Sequence, residues 1–230
     1  MRMSFDGVVS PLATPLTNAA FKGASTTAPN IQGITIGPDN KIYYATSFGA
    51  PAGNGIWRSN LDGSGLTQVI TAAAIGGTNW NIRDLSIADI DSNPANGFDV
   101  FFGTRGGFTE ANRPYYHFNI NGATVTNVET LTTTASSPST TYYDSVTGKV
   151  YLGRTSGGSY QVATVNPTGT GQALTGVYNS SQVAFDFFRI GADLFVLNAD
   201  ATANGTIRQV SGASPGSVYL DLVPSAATPF

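Results

Sequence analysis

Gly33-Ile34-Thr35-Ile36-Gly37-Pro38-Asp39-Asn40-Lys41-Ile42-Tyr43-Tyr44-Ala45-Thr46 reads as two strands joined by a tight turn. The apolar runs are short and rich in β-branched and aromatic residues, and Gly-Pro-Asp-Asn between them favours a chain reversal. Two further strands follow, Gly55 to Leu61 and Leu66 to Ile70, separated by the turn Asp62-Gly63-Ser64-Gly65. The second strand of this unit, with its aromatic step at Tyr43, returns around Phe101, Tyr151 and Phe195 in the runs Val100–Thr104, Val150–Arg154 and Leu194–Asn198. The intervals of 58, 50 and 44 residues are uneven because insertions fall in loops, yet they stay near the ~40 to 50 residues of a repeated four-stranded unit. The pattern predicts an all-β fold: a small β-propeller of four four-stranded blades, or five if the N-terminus contributes, with an extended N-terminal arm.

Working outward, the division expected is an arm over residues 1–30 and a propeller over 31–230, with blades at 31–77, 78–136, 137–180 and 181–230. Strands are predicted in the second blade at Leu85–Ala88, Val100–Thr104, Tyr115–Ile120 and Thr124–Val128. The third is read at Thr140–Tyr143, Val150–Arg154, Tyr160–Val165 and Ala173–Val177, and the fourth at Phe185–Ile190, Leu194–Asn198, Thr206–Val210 and Val218–Val223. No stretch carries helical periodicity to rival these, and Thr71–Ala74 is long enough for one turn. Pro11, Pro15 and Pro29 punctuate the arm; proline gives no N–H to a ladder, so the arm is read as extended with one edge strand near Asp6–Leu12. Three ring closures are open: the chain alone, the arm in a partial fifth blade, or a second copy. The reading favours the arm.

Ile42–Thr46 and Ile56–Gly65 resemble the Tyr-Trp-Thr-Asp propeller repeats of the lipoprotein-receptor family and the related NHL type. Tyr44 stands where that family has Trp, and no Asp follows Thr46. The resemblance implies the propeller fold and no ligand or partner.

Only 11% of the 230 residues are charged, against ~25% in ordinary domains. Such a surface is solvated by hydroxyls and amides, a composition familiar in extracellular and virion proteins. The net charge is −3 and the eleven Lys and Arg are scattered, which argues against nucleic acid as a partner because no run of cations matches successive phosphates. No run approaches the ~20 apolar residues of a membrane-spanning helix, so no membrane insertion is expected. Met1–Gly7 shows no secretory signal peptide. With no cysteine, disulfides, thiolate metal sites and a cysteine nucleophile are excluded.

Asp89-Ile90-Asp91-Ser92-Asn93-Pro94-Ala95-Asn96-Gly97-Phe98-Asp99 is the sharpest polar cluster. Alternating carboxylates and amides suit calcium, which takes 6 to 8 oxygen ligands. The segment resembles the calcium loop of integrin-type FG-GAP repeats, which implies Asp89, Asp91, Asn93 and Asp99 as ligands and Asn96 as a weaker one. The competing reading is a polar turn in which these side chains cap backbone N–H groups. Calcium is the one cofactor the sequence suggests.

Other chemistry is sparser. His117, the single histidine, lies within a predicted strand without a Gly-x-Ser-x-Gly elbow, so a structural role is favoured over a triad. One histidine cannot build a His-rich zinc site. Paired carboxylates can run glycosidase chemistry; Glu110 and Glu129 are the sole glutamates, and Asp84, Asp144 and Asp186 lie beside the innermost strands, positioned to face the channel or to pair with Arg83 or Arg189. Gly103–Gly107 and Arg154–Gly158 lead into strands, so they are not phosphate cradles. Trp57, Trp80, Tyr115, Tyr116, Tyr142, Tyr143 and Tyr160 divide between core and surface, because neighbours on a strand point to opposite faces.

The function expected from the sequence is a non-catalytic structural or recognition component of an extracellular assembly or virus particle, located outside the cell or on the virion surface, self-associating or meeting other structural proteins. The alternatives are a lectin-like carbohydrate-binding module contacting glycans, and a propeller hydrolase or lyase using channel-facing acids.

Overall fold

The structure, a computed structural model, describes residues 2–3, 9–10, 21, 31–46, 53–71, 73–75, 81–105, 113–134, 137–156, 159–199, 205–212 and 214–221. Four antiparallel four-stranded sheets form a four-bladed β-propeller. Blade 1 runs through Ile31–Ile36, Lys41–Thr46, Gly55–Asn60 and Thr67–Thr71, and blade 2 through Asn81–Ala88, Phe98–Arg105, Arg113–Asn121 and Thr124–Thr134. Blade 3 comprises Ser137–Asp144, Lys149–Ser156, Ser159–Val165 and Thr175–Ser180; blade 4 comprises Val183–Ile190, Asp193–Ala199, Gly205–Gln209 and Val218–Asp221. Every blade strand read from the sequence is present. The turn read after the first blade is a short 3-10 helix at Ala73–Ile75.

Local chemistry explains the hairpins. In the first turn, Gly37 and Lys41 share a backbone bond of 2.9 Å, Asp39 accepts from the Lys41 N–H, and Asn40 takes a left-handed φ of 56° that its short polar side chain tolerates. In blade 2, Gly97 has φ 83°, and a Cβ there would meet the Ile120 carbonyl at 2.2 Å, so any side chain would drive the first loop off the third strand.

Strand alternation then builds the seams between blades. Tyr43, Ala45 and Ile56 of blade 1 pack on Ile82, Leu85, Val100 and Phe102 of blade 2. The other face of blade 2, with Phe101, Tyr115 and Leu131, meets Val150, Leu152 and Val165 of blade 3. Tyr151 and Val162 of blade 3 meet Ala184, Phe187, Leu194 and Val196 of blade 4. Adjacent aromatics such as Phe101 and Phe102, or Tyr115 and Tyr116, thus serve different seams, as the period-two geometry of a strand requires.

Within the arm, Arg2–Met3 pairs with Val9–Ser10, so the expected edge strand joins another arm segment. Phe21 is fully buried against Tyr44 and Trp57, on the face of blade 1 turned away from blade 2. Pro11, Pro15 and Pro29 lie outside the described residues, as do Trp80 and Glu110.

Candidate functional site

The first strands of the four blades surround an axial channel with two lobes. One lobe, of about 550 Å³, is lined by Gln32, Ile34, Arg83, Ser137, Tyr160 and Phe185 among others. The second, of about 500 Å³, is lined by Thr35, Asp89, Tyr142, Tyr143, Ser145 and Phe187 among others. Asp84 and Asp186 belong to both lobes and mark the waist between them. Two of the three aspartates placed beside innermost strands by the sequence therefore converge on the channel.

Asp84 is held tightly. Its Oδ2 accepts from the Thr140 hydroxyl at 2.5 Å and from the Thr141 N–H at 3.3 Å, which stitches blade 2 to blade 3. On the blade 1 side it presses on Gly33 of the adjacent first strand, where a Cβ would lie 2.9 Å from both the Asp84 Cα and its Oδ1. Burial pushes the Asp84 carboxyl up to about 6, and the nearby Asp186 charge adds to the rise; the Thr140 hydroxyl and the Leu85 and Thr141 N–H groups oppose it. Burial also raises Asp186, against a backbone N–H bond at Phe187. Neither acid has a Lys or Arg ion-pair partner among the described residues.

The third aspartate takes the quieter role. Asp144 is buried, and desolvation alone would raise its pKa. A bidentate pair with Arg189, at 2.5 and 2.6 Å, together with bonds from Thr147 and Val146, holds it below the usual carboxylate range instead.

The four calcium candidates divide. Asp91 accepts from the Asn93 N–H at 2.8 Å and from the Asn96 amide at 2.7 Å; Asp89 also accepts from the Asn93 N–H, and Asn93 caps the 3-10 turn Pro94–Asn96. These bonds hold Asp91 below its ordinary pKa. Asp99 turns toward the protein interior, where its Oδ1 lies 2.7 Å from His117 Nε2 and 3.4 Å from the Asn119 amide. Among the described residues, no group of three or more His, Asp or Glu is arranged to hold a metal ion.

His117 is only 3% exposed and lies outside both channel lobes. Its Nδ1 faces Glu129 Oε1 at 3.3 Å while Nε2 faces Asp99, so both contacts form as hydrogen bonds together only in the imidazolium. Phe101 stacks on the ring at 4.9 Å. Glu129 Oε2 in turn accepts from the Gly169 N–H and the Thr170 hydroxyl of blade 3. The arrangement is an inter-blade tie.

The adjacent aromatics do not divide one to the core and one to the surface as expected: Tyr115 and Tyr116 are both buried, in different seams, and Tyr142 and Tyr143 both reach the channel. Trp57, Tyr115 and Tyr116 are core, each donating its polar hydrogen to a backbone carbonyl, at Gly53, Gly153 and Ile75. Tyr142, Tyr143 and Tyr160 border the channel. Phe185, a lining residue that sequence reasoning missed, is 53% exposed. Its apolar character within an otherwise regular first strand was the available signal.

No protein-family model matches the chain, and no curated protein matches it. Solved structures do. A Bacteroides uniformis protein provisionally assigned as a 6-phosphogluconolactonase shares 12% identity at a TM-score of 0.55, over 96% of this chain and 62% of that one. An auxiliary nutrient binding protein of Bacteroides ovatus shares 11% identity at a TM-score of 0.51, over 86% and 48%. The Bacteroides ovatus xyloglucan PUL protein GH43B shares 17% identity at a TM-score of 0.49, over 87% and 41%. This chain spans less than two thirds of the length of each. At these identities the likeness establishes the propeller fold.

Two expectations are corrected. The chain was expected to be a non-catalytic structural component of an extracellular assembly or virus particle; the solved structures that share its fold are instead a protein provisionally assigned as a lactonase and a nutrient binding protein. The expectation that it is no enzyme is contradicted as well, by the neighbour provisionally assigned as a lactonase. The physical reason lies in the channel, where two carboxylates from different blades converge, which a hydroxyl-lined structural ring does not need.

Proposed function

We propose that this propeller is a carbohydrate-binding module whose ligand enters the axial channel. The observation that carries the reading is the waist. Asp84 and Asp186 offer acceptors to sugar hydroxyls, flanked by Ser137, Tyr160 and the exposed ring of Phe185. Concave sites with a few convergent polar groups and aromatic faces suit such ligands. The fold shared with a nutrient binding protein is consistent with this reading. A glycan screen followed by calorimetric titration tests it. Saturable binding that weakens about tenfold, or ~1.4 kcal/mol, in Asp186→Asn is expected; a folded chain that binds no glycan overturns the proposal.

One observation favours a second reading, hydrolysis. Asp84 is raised to about 6 beside Asp186, and a carboxyl that keeps its proton next to a second carboxylate is the pairing acid–base cleavage requires. Release of nitrophenol from a panel of nitrophenyl glycosides between pH 4 and 8, absent in Asp84→Asn, would support it. No turnover above the variant's background across the panel counts against it.

A further inference from the structure

We propose that the sugar bound in the axial channel carries an aromatic substituent, and that this ring seats in the lobe bounded by Ile34 of blade 1 and Phe185 of blade 4. The inference rests on the axial channel being a carbohydrate site.

A large apolar side chain on a first strand has a place to bury itself in this fold, the seam between blades, and Leu85 and Phe187 take it. Ile34 and Phe185 do not. They remain 61% and 53% exposed, and both line the same lobe of about 550 Å³. Exposed apolar surface of this size is the exception in a folded chain, and gathered inside a concavity it marks a binding site. Tyr160 and Val183 add to the same wall. All four blades contribute to this lobe, and its volume is that of a small-molecule site, which excludes a folded partner as its occupant.

The two lobes are not equivalent. Beyond the waist, Leu85 and Phe187 turn into their seams, and Thr35, Asp89 and Ser145 with the half-buried Tyr142 and Tyr143 supply polar atoms to the second lobe. One end of the channel therefore suits sugar hydroxyls and the other an apolar group, with Asp84 and Asp186 between them. An unsubstituted sugar in the polar lobe leaves Ile34 and Phe185 in water; a sugar with an apolar substituent covers both. Arg83, the one Lys, Arg or His lining either lobe, stands on the apolar side. A guanidinium attracts the face of a ring, and the rings of Phe185 and Tyr160 favour an aromatic partner in the same way. These residues select an aromatic substituent over an alkyl chain.

The test is calorimetric titration of the full chain with methyl and phenyl glycosides of glucose, galactose, mannose, xylose and arabinose, each pair sharing its anomeric configuration. For a sugar that binds, the phenyl glycoside is expected to bind at least about tenfold more tightly than the methyl one. That ratio is expected to fall to within about twofold in Ile34→Ser and separately in Phe185→Ser. Both variants are checked by thermal melting, so the test stays decisive if one fails to fold. Equal binding of methyl and phenyl glycosides overturns the inference and leaves the carbohydrate reading standing. A phenyl preference that survives in both variants places the ring elsewhere and overturns it too, and absence of binding across the panel overturns both readings.

Discussion

At Asp84 the native fold holds a carboxyl at about 6, whereas an unfolded chain holds aspartate near 3.9. Between those values the folded state binds the extra proton, so this group favours folding below about pH 4 and progressively disfavours it as pH rises to about 6. The difference is roughly 2 kcal/mol, given ~1.4 kcal/mol per pKa unit and a partial discount for the edge open to the channel. Asp84→Asn is therefore expected to raise Tm by about 4 °C at pH 7.5, to show no gain at pH 4, and to lose ligand binding. Calorimetric scans at both pH values decide it, and an equal gain at pH 4 would show that repacking, not relief of charge, is responsible. Gly33 bears on the same carboxylate from the adjacent first strand of blade 1. Gly33→Val places atoms where Asp84 already sits, so a loss of about 1 to 3 kcal/mol by overpacking, together with weakened binding, is expected in denaturant melts; a variant as stable as the parent would show that the first strand of blade 1 yields easily.

Strand pairing explains what was legible in the sequence and what was not. Alternation and turn residues marked the strands because each signal is local: Ile42–Thr46 carries its own period and Asp62-Gly63 its own reversal. Asp99 reads as a calcium candidate because a carboxylate that closes an Asp-x-Asp-x-Asn loop looks the same in sequence whether it faces a cation or the interior. The deciding partner comes from register. Phe101 pairs with His117 and Asp99 with Asn119, which sets His117 diagonal to Asp99, while Glu129 pairs directly with His117. Such placement depends on bulges, including those between Asn127 and Glu129, that no local pattern announces. The convergence of Asp84 and Asp186 was hidden likewise, since a strand's sequence does not say what the next blade presents across the axis. The register also yields a prediction. His117→Gln removes the ring that faces Asp99, which is only 7% exposed, and costs that buried acceptor its hydrogen-bond partner, a loss of about 1 to 3 kcal/mol or roughly 2 to 12 °C in Tm at this size. Melts of H117Q and E129Q should both fall, with the larger drop in H117Q, because that change loses the ring contacts to both Asp99 and Glu129, whereas E129Q keeps the His117–Asp99 contact and a glutamine oxygen that can still accept from Gly169 and Thr170; melts within a degree or two of the parent would mean the tie contributes little.

Across the whole ring, apolar clusters join blade 1 to 2, 2 to 3 and 3 to 4, and among the described residues no such cluster joins blade 4 to blade 1. The far face of blade 1 is covered instead by Phe21, whose ring meets Tyr44 and Trp57 edge-on at 5.4 and 5.2 Å. On the far face of blade 4, Phe195 stacks with Phe188 and meets Tyr219 at a tilt, and Tyr219 remains 63% exposed. In an array whose units touch only their neighbours, stability is shared through the seams, and a unit with one seam depends most on whatever caps its other face. Blade 1 has its blade 2 seam and Phe21. Removing a fully buried phenylalanine costs about 3 to 5 kcal/mol, a large part of an ordinary domain's stability, and here the loss falls on one blade. Phe21→Ala, and deletion of residues 1–30 more severely, should therefore lower protection of the blade 1 strands in hydrogen exchange while Val150–Leu152 in the middle of the ring stay protected up to global unfolding. Uniform loss of protection in all four blades would instead mean that the ring unfolds as one cooperative unit and that Phe21 stabilises the molecule as a whole, not the end blade.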